Sequence, residues 1–118
     1  MRYFQIEEFD SPDEPGSGQF MDDEFLEMLD KARHLAGIPF VINSGYRTRA
    51  HNRAVGGLKN SAHLDGFAAD IRVKTSRERI YIVGALLEAN FNRIGIAANF
   101  IHVDNDPTKP EEVMWTYD

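Results

Sequence analysis

The sequence predicts an α+β domain built on a mostly antiparallel central sheet with helices against it. Helical periodicity is confined to the first third and the middle of the chain, while short apolar runs gather toward the end. Capping and breaking residues separate these stretches cleanly. At 118 residues, 42% hydrophobic and 27% charged, the chain has room for one core, so residues 1–118 are expected to form a single small domain.

The elements follow in order. "SPDEPGSG", Ser11 to Gly18, reads as an irregular surface loop because its prolines and glycines break both periodicities. Asp22 is placed to cap a helix whose apolar positions Phe25, Leu29, Ala32 and Ala36 follow helical spacing, with Gly37 ending it. "PFVIN", Pro39 to Asn43, is a short strand entered through a proline that cannot continue the helix. Thr48 caps a short helix stopped by Gly56 and Gly57. "FAADIRV", Phe67 to Val73, reads as a buried strand. Thr75 and Glu78 then form a capping-box pattern before a helix carrying Ile80, Val83 and Leu87. "RIGIA", "FIHVD" and "EVMWTY" are three further strands.

Composition removes several function classes. The chain has no cysteine, so a metal site here must use nitrogen and oxygen ligands. A net charge of −6 argues against a nucleic-acid partner, which needs a basic face. No apolar stretch is long enough to span a bilayer, so no membrane partner is expected. The N-terminal "MRYFQIEEFDSPDEPG" lacks the basic and apolar regions of a secretory signal. The expectation is a monomer made in the cytoplasm that needs release to act outside it.

Three residues stand out chemically. His63 alone reads as a surface histidine. Asp70, however, lies inside the apolar "FAADIRV", where a buried carboxylate must be paired, hydrogen-bonded or bound to a metal. His102 raises the same question between Ile101 and Val103. Together they offer the three protein ligands of a catalytic zinc, with a fourth position open. Gly66 and Ala68 are small enough to let the backbone pass close to the ion.

The string "SAHLDGFAAD", Ser61 to Asp70, fits the S-x-H-x-x-G-x-A-x-D pattern of the M15 zinc D,D-peptidases at every fixed position. "SGYR", Ser44 to Arg47, and "FIHVD", Phe100 to Asp104, resemble that family's other two signatures in the right order. The resemblance runs from about Tyr3 to Tyr117. That family includes peptidoglycan D-alanyl-D-alanine carboxypeptidases, vancomycin-resistance D,D-dipeptidases and phage endolysins, and shares its fold with the Hedgehog signalling domain. It implies Zn2+ held by His63, Asp70 and His102, acting on a peptide of peptidoglycan. It also implies that Arg47 faces the substrate, stabilising negative charge in the transition state without touching the metal. Tyr46 and Ser61 are candidate substrate contacts.

The general base is the departure. Many family members carry Glu or Asp three residues before the last histidine ligand, where this chain has Asn99. Asp104 is the nearest acid, on the same strand face as His102 and roughly 6.6 Å along the chain. It either orients the imidazole or takes the proton as a catalytic base, and the first reading is preferred. His34, late in the first helix, suits the helix dipole, and His51 reads as solvated. Trp115 and Tyr117 alternate with Met114 and Thr116, so one face is expected to be core, with a wall of the substrate groove as the second reading. Asp104, Asn105 and Asp106 lack the glycine and distal glutamate of a calcium loop. A zinc peptidase of phage or prophage type leads, and its rival is a catalytically silent module that keeps the metal for stability or binding.

Overall fold

In the computed structural model, residues 1–117 are described. A five-stranded mixed sheet is combined with three α-helices and three short 3-10 turns. The strands are β1 (Ile42–Ser44), β2 (Ala68–Arg72), β3 (Arg93–Ile96), β4 (Phe100–Asp104) and β5 (Val113–Thr116). They lie in the order β1-β2-β4-β3-β5. Every neighbouring pair is antiparallel except β3 and β5, which run parallel. The helices are α1 (Asp23–Ala36), α2 (Arg49–Ala54) and α3 (Ser76–Glu88). Among the described residues no helix is long and apolar enough to cross a membrane.

Local chemistry sets the helix ends. The Asp22 carboxylate accepts from Phe25 N at 3.0 Å, and Gly37 closes α1 with a φ of +70°. Thr48 Oγ1 accepts from His51 N at 3.1 Å to start α2. Thr75 Oγ1 caps α3 through Glu78 N, while Glu78 reaches back to Lys74 N rather than to the cap residue itself. Such a cap contributes about 1 kcal/mol.

The period of two sorts the sheet into two faces. Ile71 on β2, Ile94 on β3, and Ile101 and Val103 on β4 point to one side. There they meet Phe25, Leu29 and Ala32 of α1 and Ile82, Ala85 and Leu86 of α3. The opposite face carries Asp70, Arg93, Gly95, His102 and Asp104, and that face holds the chemistry.

Several expectations shift. The first strand begins at Ile42, later than Pro39, and its register is irregular, pairing Ile42 with Ile71 but Ser44 with Asp70. On α3 the buried stripe is Ile82, Ala85 and Leu86 with Val83 partly buried against the core, whereas Ile80 is 69% and Leu87 49% exposed. Both sets fit a helical period, and contact with α1 selects the other one. "SPDEPGSG" is no loose surface loop. Ser11 and Ser17 are buried, with Ser11 N donating to Ser17 Oγ at 2.8 Å. Ser11 Oγ accepts from Thr48 N, and Asp13 accepts from Thr48 Oγ1 at 2.6 Å, so this segment braces the start of α2.

Candidate metal centre

The sheet brings the three expected ligands together. Asp70 and His102 are direct cross-strand partners on β2 and β4. His63 enters from the 3-10 turn Ala62–Asp65 that leads into β2. Asp70 Oδ1 lies 2.9 Å from His102 Nδ1 and 3.3 Å from His63 Nε2. All three side chains are buried, and one donor atom from each lies within 4.8 Å of the others.

Hydrogen bonding fixes which nitrogen of each ring faces inward. His63 Nδ1 lies 2.7 Å from the Gly45 carbonyl oxygen, which can only accept, so Nδ1 carries the proton and Nε2 points its lone pair at Asp70. His102 Nε2 lies 2.7 Å from Asp104 Oδ2, which leaves Nδ1 to face the same point. Two imidazole nitrogens and a carboxylate oxygen therefore converge where only a proton or a cation relieves their repulsion. This donor set, N2O without thiolate, fits a borderline divalent ion such as zinc.

The electrostatics agree. Burial alone would raise the Asp70 pKa, but hydrogen bonds from His102 and His63 outweigh it and hold the carboxyl well below its usual range. Burial alone would lower that of His102, but Asp104 and Asp70 outweigh it and hold the imidazole above its ordinary value. Asp104 is likewise held low, by His102 and Arg93 against its own burial.

Around the ligands runs a tight set of supports. Arg47 donates from Nε to Ser44 Oγ at 3.0 Å, from Nη1 to Asn52 Oδ1 at 3.2 Å, and from Nη2 to Asp70 Oδ2 at 3.3 Å. It lines the cleft as expected, but it also grips the carboxylate of Asp70, so it does touch the candidate metal site. Asp104 Oδ1 accepts from Arg93 Nε at 2.6 Å and from Asp106 N at 3.2 Å. Both Asp104 oxygens are therefore engaged. Ser61 lines the cleft while its Oγ accepts from His63 N at 3.2 Å, shaping the turn that presents the ligand.

Other expected site residues lie elsewhere. Tyr46 packs on Phe20 at 5.5 Å between ring centroids and is not among the cleft-lining residues. Asn99 is exposed in the β3–β4 turn and also does not line the cleft. Gly66 is required by a φ of +76° and by the Phe20 carbonyl, 2.3 Å from where a Cβ would sit. Its role is a turn packed on Phe20, rather than room for the ion.

The cleft itself has a volume of about 430 Å³. Trp115 and Tyr117, expected as core, instead form its wall. The Trp115 ring stands 5.6 Å from His102, and Tyr117 lies 5.3 Å from Phe100. Gly95, paired with both His102 and Trp115, makes this arrangement possible: a Cβ there would meet Trp115 Nε1 at 2.6 Å and Tyr117 Cε2 at 2.8 Å.

Arg93 was missed by sequence reasoning. It is 8% exposed, sits under Trp115 with 5.1 Å to the ring centroid, and also donates to the Pro110 carbonyl. Only the strand register reveals it, since Ile94 opposite Val103 puts Arg93 opposite Asp104.

A family model described as Peptidase M15 matches residues 2–104. The chain belongs to the peptidase M15 family. Curated proteins give no match. M15 peptidases are metal-dependent, and the His63, Asp70 and His102 group is compatible with that requirement. The M15 match ends at Asp104, so β5 and its cleft-wall aromatics lie beyond it.

Proposed function

We propose that this M15 peptidase is a zinc enzyme that hydrolyses a peptide bond in the stem or crosslink peptides of peptidoglycan. The observation that carries the reading is the convergence of His63 Nε2, Asp70 Oδ1 and His102 Nδ1 at the floor of an open cleft. The motif resemblance to D,D-peptidases supports the peptidoglycan substrate. When bound, zinc would supply a water of pKa near 7 and a Lewis acid for the scissile carbonyl, by about the shift seen in zinc hydrolases.

The chain's own residues do the rest. Gly45 O and Asp104 hold the two imidazoles in the tautomers that leave a lone pair for the metal. Arg47 fixes Asp70 by its outer oxygen and keeps Oδ1 turned inward. Arg47 also lines the cleft, where a guanidinium suits a carboxylate or a developing oxyanion. Trp115 and Tyr117 offer an apolar wall along which a peptide can lie. Asp104 acts as an orienting group, since it is buried and both of its oxygens already accept from His102 and Arg93.

One observation favours the rival reading of a silent binding module. Among the described residues Asp70 and Asp104 are the only acids lining the cleft, and both are committed to internal partners. The test is mass spectrometry of purified peptidoglycan fragments after incubation with the zinc-loaded chain and with an EDTA-treated blank. Loss of a terminal D-alanine identifies a carboxypeptidase, and opening of a crosslink an endopeptidase. If no pentapeptide or crosslinked fragment is cut above the blank, the silent module replaces the enzyme.

A further inference from the structure

A second cavity, about 420 Å³, adjoins the metal cleft. Arg49 and Arg53, one turn apart on α2, and Lys59, on the loop that follows, all line it. Exposed cations are ordinary on a protein surface. These three differ in converging on one concavity without an answering acid. The chain carries 19 acidic residues against 13 basic ones, yet among the described residues none of the three forms an ion pair. Like charges four apart on a helix repel, so this cluster carries a small local cost that a bound anion would remove.

The two cavities meet at Gly56 and Gly57, which line both. Gly57 has no room for a side chain: a Cβ would stand 2.0 Å from Asn52 Oδ1 and 3.1 Å from Arg47 Nη1. Gly56 has a φ of +73° and nothing within 4 Å of where its Cβ would be, so the ridge between the cavities is bare backbone. Beneath it, buried Asn52 accepts from Arg47 and donates to the Leu58 carbonyl at 2.8 Å. One side chain thereby fixes both the cleft arginine and the loop carrying Lys59.

We infer that the cavity of Arg49, Arg53 and Lys59 is an anion subsite, which takes a carboxylate or phosphate group of the bound molecule while the reacting bond lies at the metal ligands. The identity of that molecule as a cell-wall peptide rests on the peptidase reading above; the sign of its charge rests on the cavity alone. The low glycine ridge lets an extended chain cross from one cavity to the other.

The test uses the full zinc-loaded chain and three probes: a stem-peptide fragment with a free side-chain carboxylate, the same fragment amidated, and a glycerol phosphate oligomer. Calorimetry measures binding of each to wild type and to the Arg49→Gln/Arg53→Gln variant, with zinc affinity of the metal-free forms measured in parallel. The free-carboxylate fragment should bind wild type roughly 10- to 100-fold tighter than its amide. High salt should narrow that ratio. The double variant should lose the preference while holding zinc as tightly, because neither arginine touches His63, Asp70 or His102. Should the double variant melt early, Lys59→Gln on the loop carries the same comparison. If acid and amide bind alike but the oligomer depends on the two arginines, the anion is a polymer phosphate and the subsite stands. Equal binding of all three probes to wild type and variant overturns it. Cleavage bears on the other reading separately. Fragments left uncut while the anion preference persists defeat the peptidase assignment and keep the subsite. Cleavage without any such preference does the reverse.

Discussion

With one oxygen on His102 Nε2 and the other on Arg93 Nε, Asp104 is built to hold an imidazole rather than to shuttle a proton. Asp104→Asn is therefore expected to weaken zinc affinity by roughly 10- to 100-fold, with excess zinc restoring much of the rate. Loss of a true base would instead cost about 100- to 10,000-fold at saturating zinc. Turnover measured across a zinc titration separates the two, and a deficit that zinc cannot repair would return Asp104 to the catalytic role. Arg47 calls for a different expectation from the one its motif suggested. Because Nη2 reaches Asp70 at 3.3 Å, Arg47→Ala should lower both turnover and zinc affinity. Arg47→Lys should recover little of either, since an ammonium cannot serve Ser44, Asn52 and Asp70 from one planar fork. Calorimetry on the metal-free variants reads the affinity, and an undiminished zinc affinity in Arg47→Ala would confine the arginine to the substrate.

At the scale of elements, α3 and β5 show where pattern and packing part company. Ile80 and Ile82 are two positions apart on one helix, but Ile82 is buried against the core and Ile80 faces solvent. Ile82→Ala should cost about 2–5 kcal/mol, and Ile80→Ala within roughly 0.5 kcal/mol of nothing, as read by urea unfolding. Equal costs would mean that the other stripe faces α1. The candidate metal ligands could be picked out because two short strings carry them and a buried Asp demands a partner wherever it lies. The helix caps at Asp22, Thr48 and Thr75 were legible for the same reason, being decided within four residues. Arg93, Trp115 and Tyr117 were not, because their surroundings are made by strand pairing. The parallel β3–β5 pair, which lays Trp115 against Gly95, has no short-range signature. "SPDEPGSG" misled similarly, since Ser11 and Ser17 are buried by contacts that its loop-like composition does not announce.

For the whole molecule, the candidate metal site couples folding to pH in two opposite windows. Asp70 and Asp104 have folded values below the ordinary 3.8, so the stability they contribute is present above 3.8 and is lost as pH falls through their lowered values. His102 has a folded value above the ordinary 6.5, so its contribution is complete below 6.5 and is lost as pH rises through that raised value. The metal-free chain should therefore gain most from this cluster between those two limits, in mildly acidic solution. A bound metal takes the lone pair of His102 Nδ1 that the proton otherwise occupies, so its own contribution must grow with pH as the proton leaves. At a hundredfold excess over its dissociation constant it would add about 2.7 kcal/mol. Melting temperatures recorded from pH 5 to pH 8 with EDTA should fall across the upper half of that range, while those with zinc should hold, and the gap between the curves should widen. His102→Ala should close the gap at every pH. A gap that stays constant from pH 5 to pH 8 would mean that the proton and the metal do not compete for His102, and the imidazole would then lose its place among the ligands.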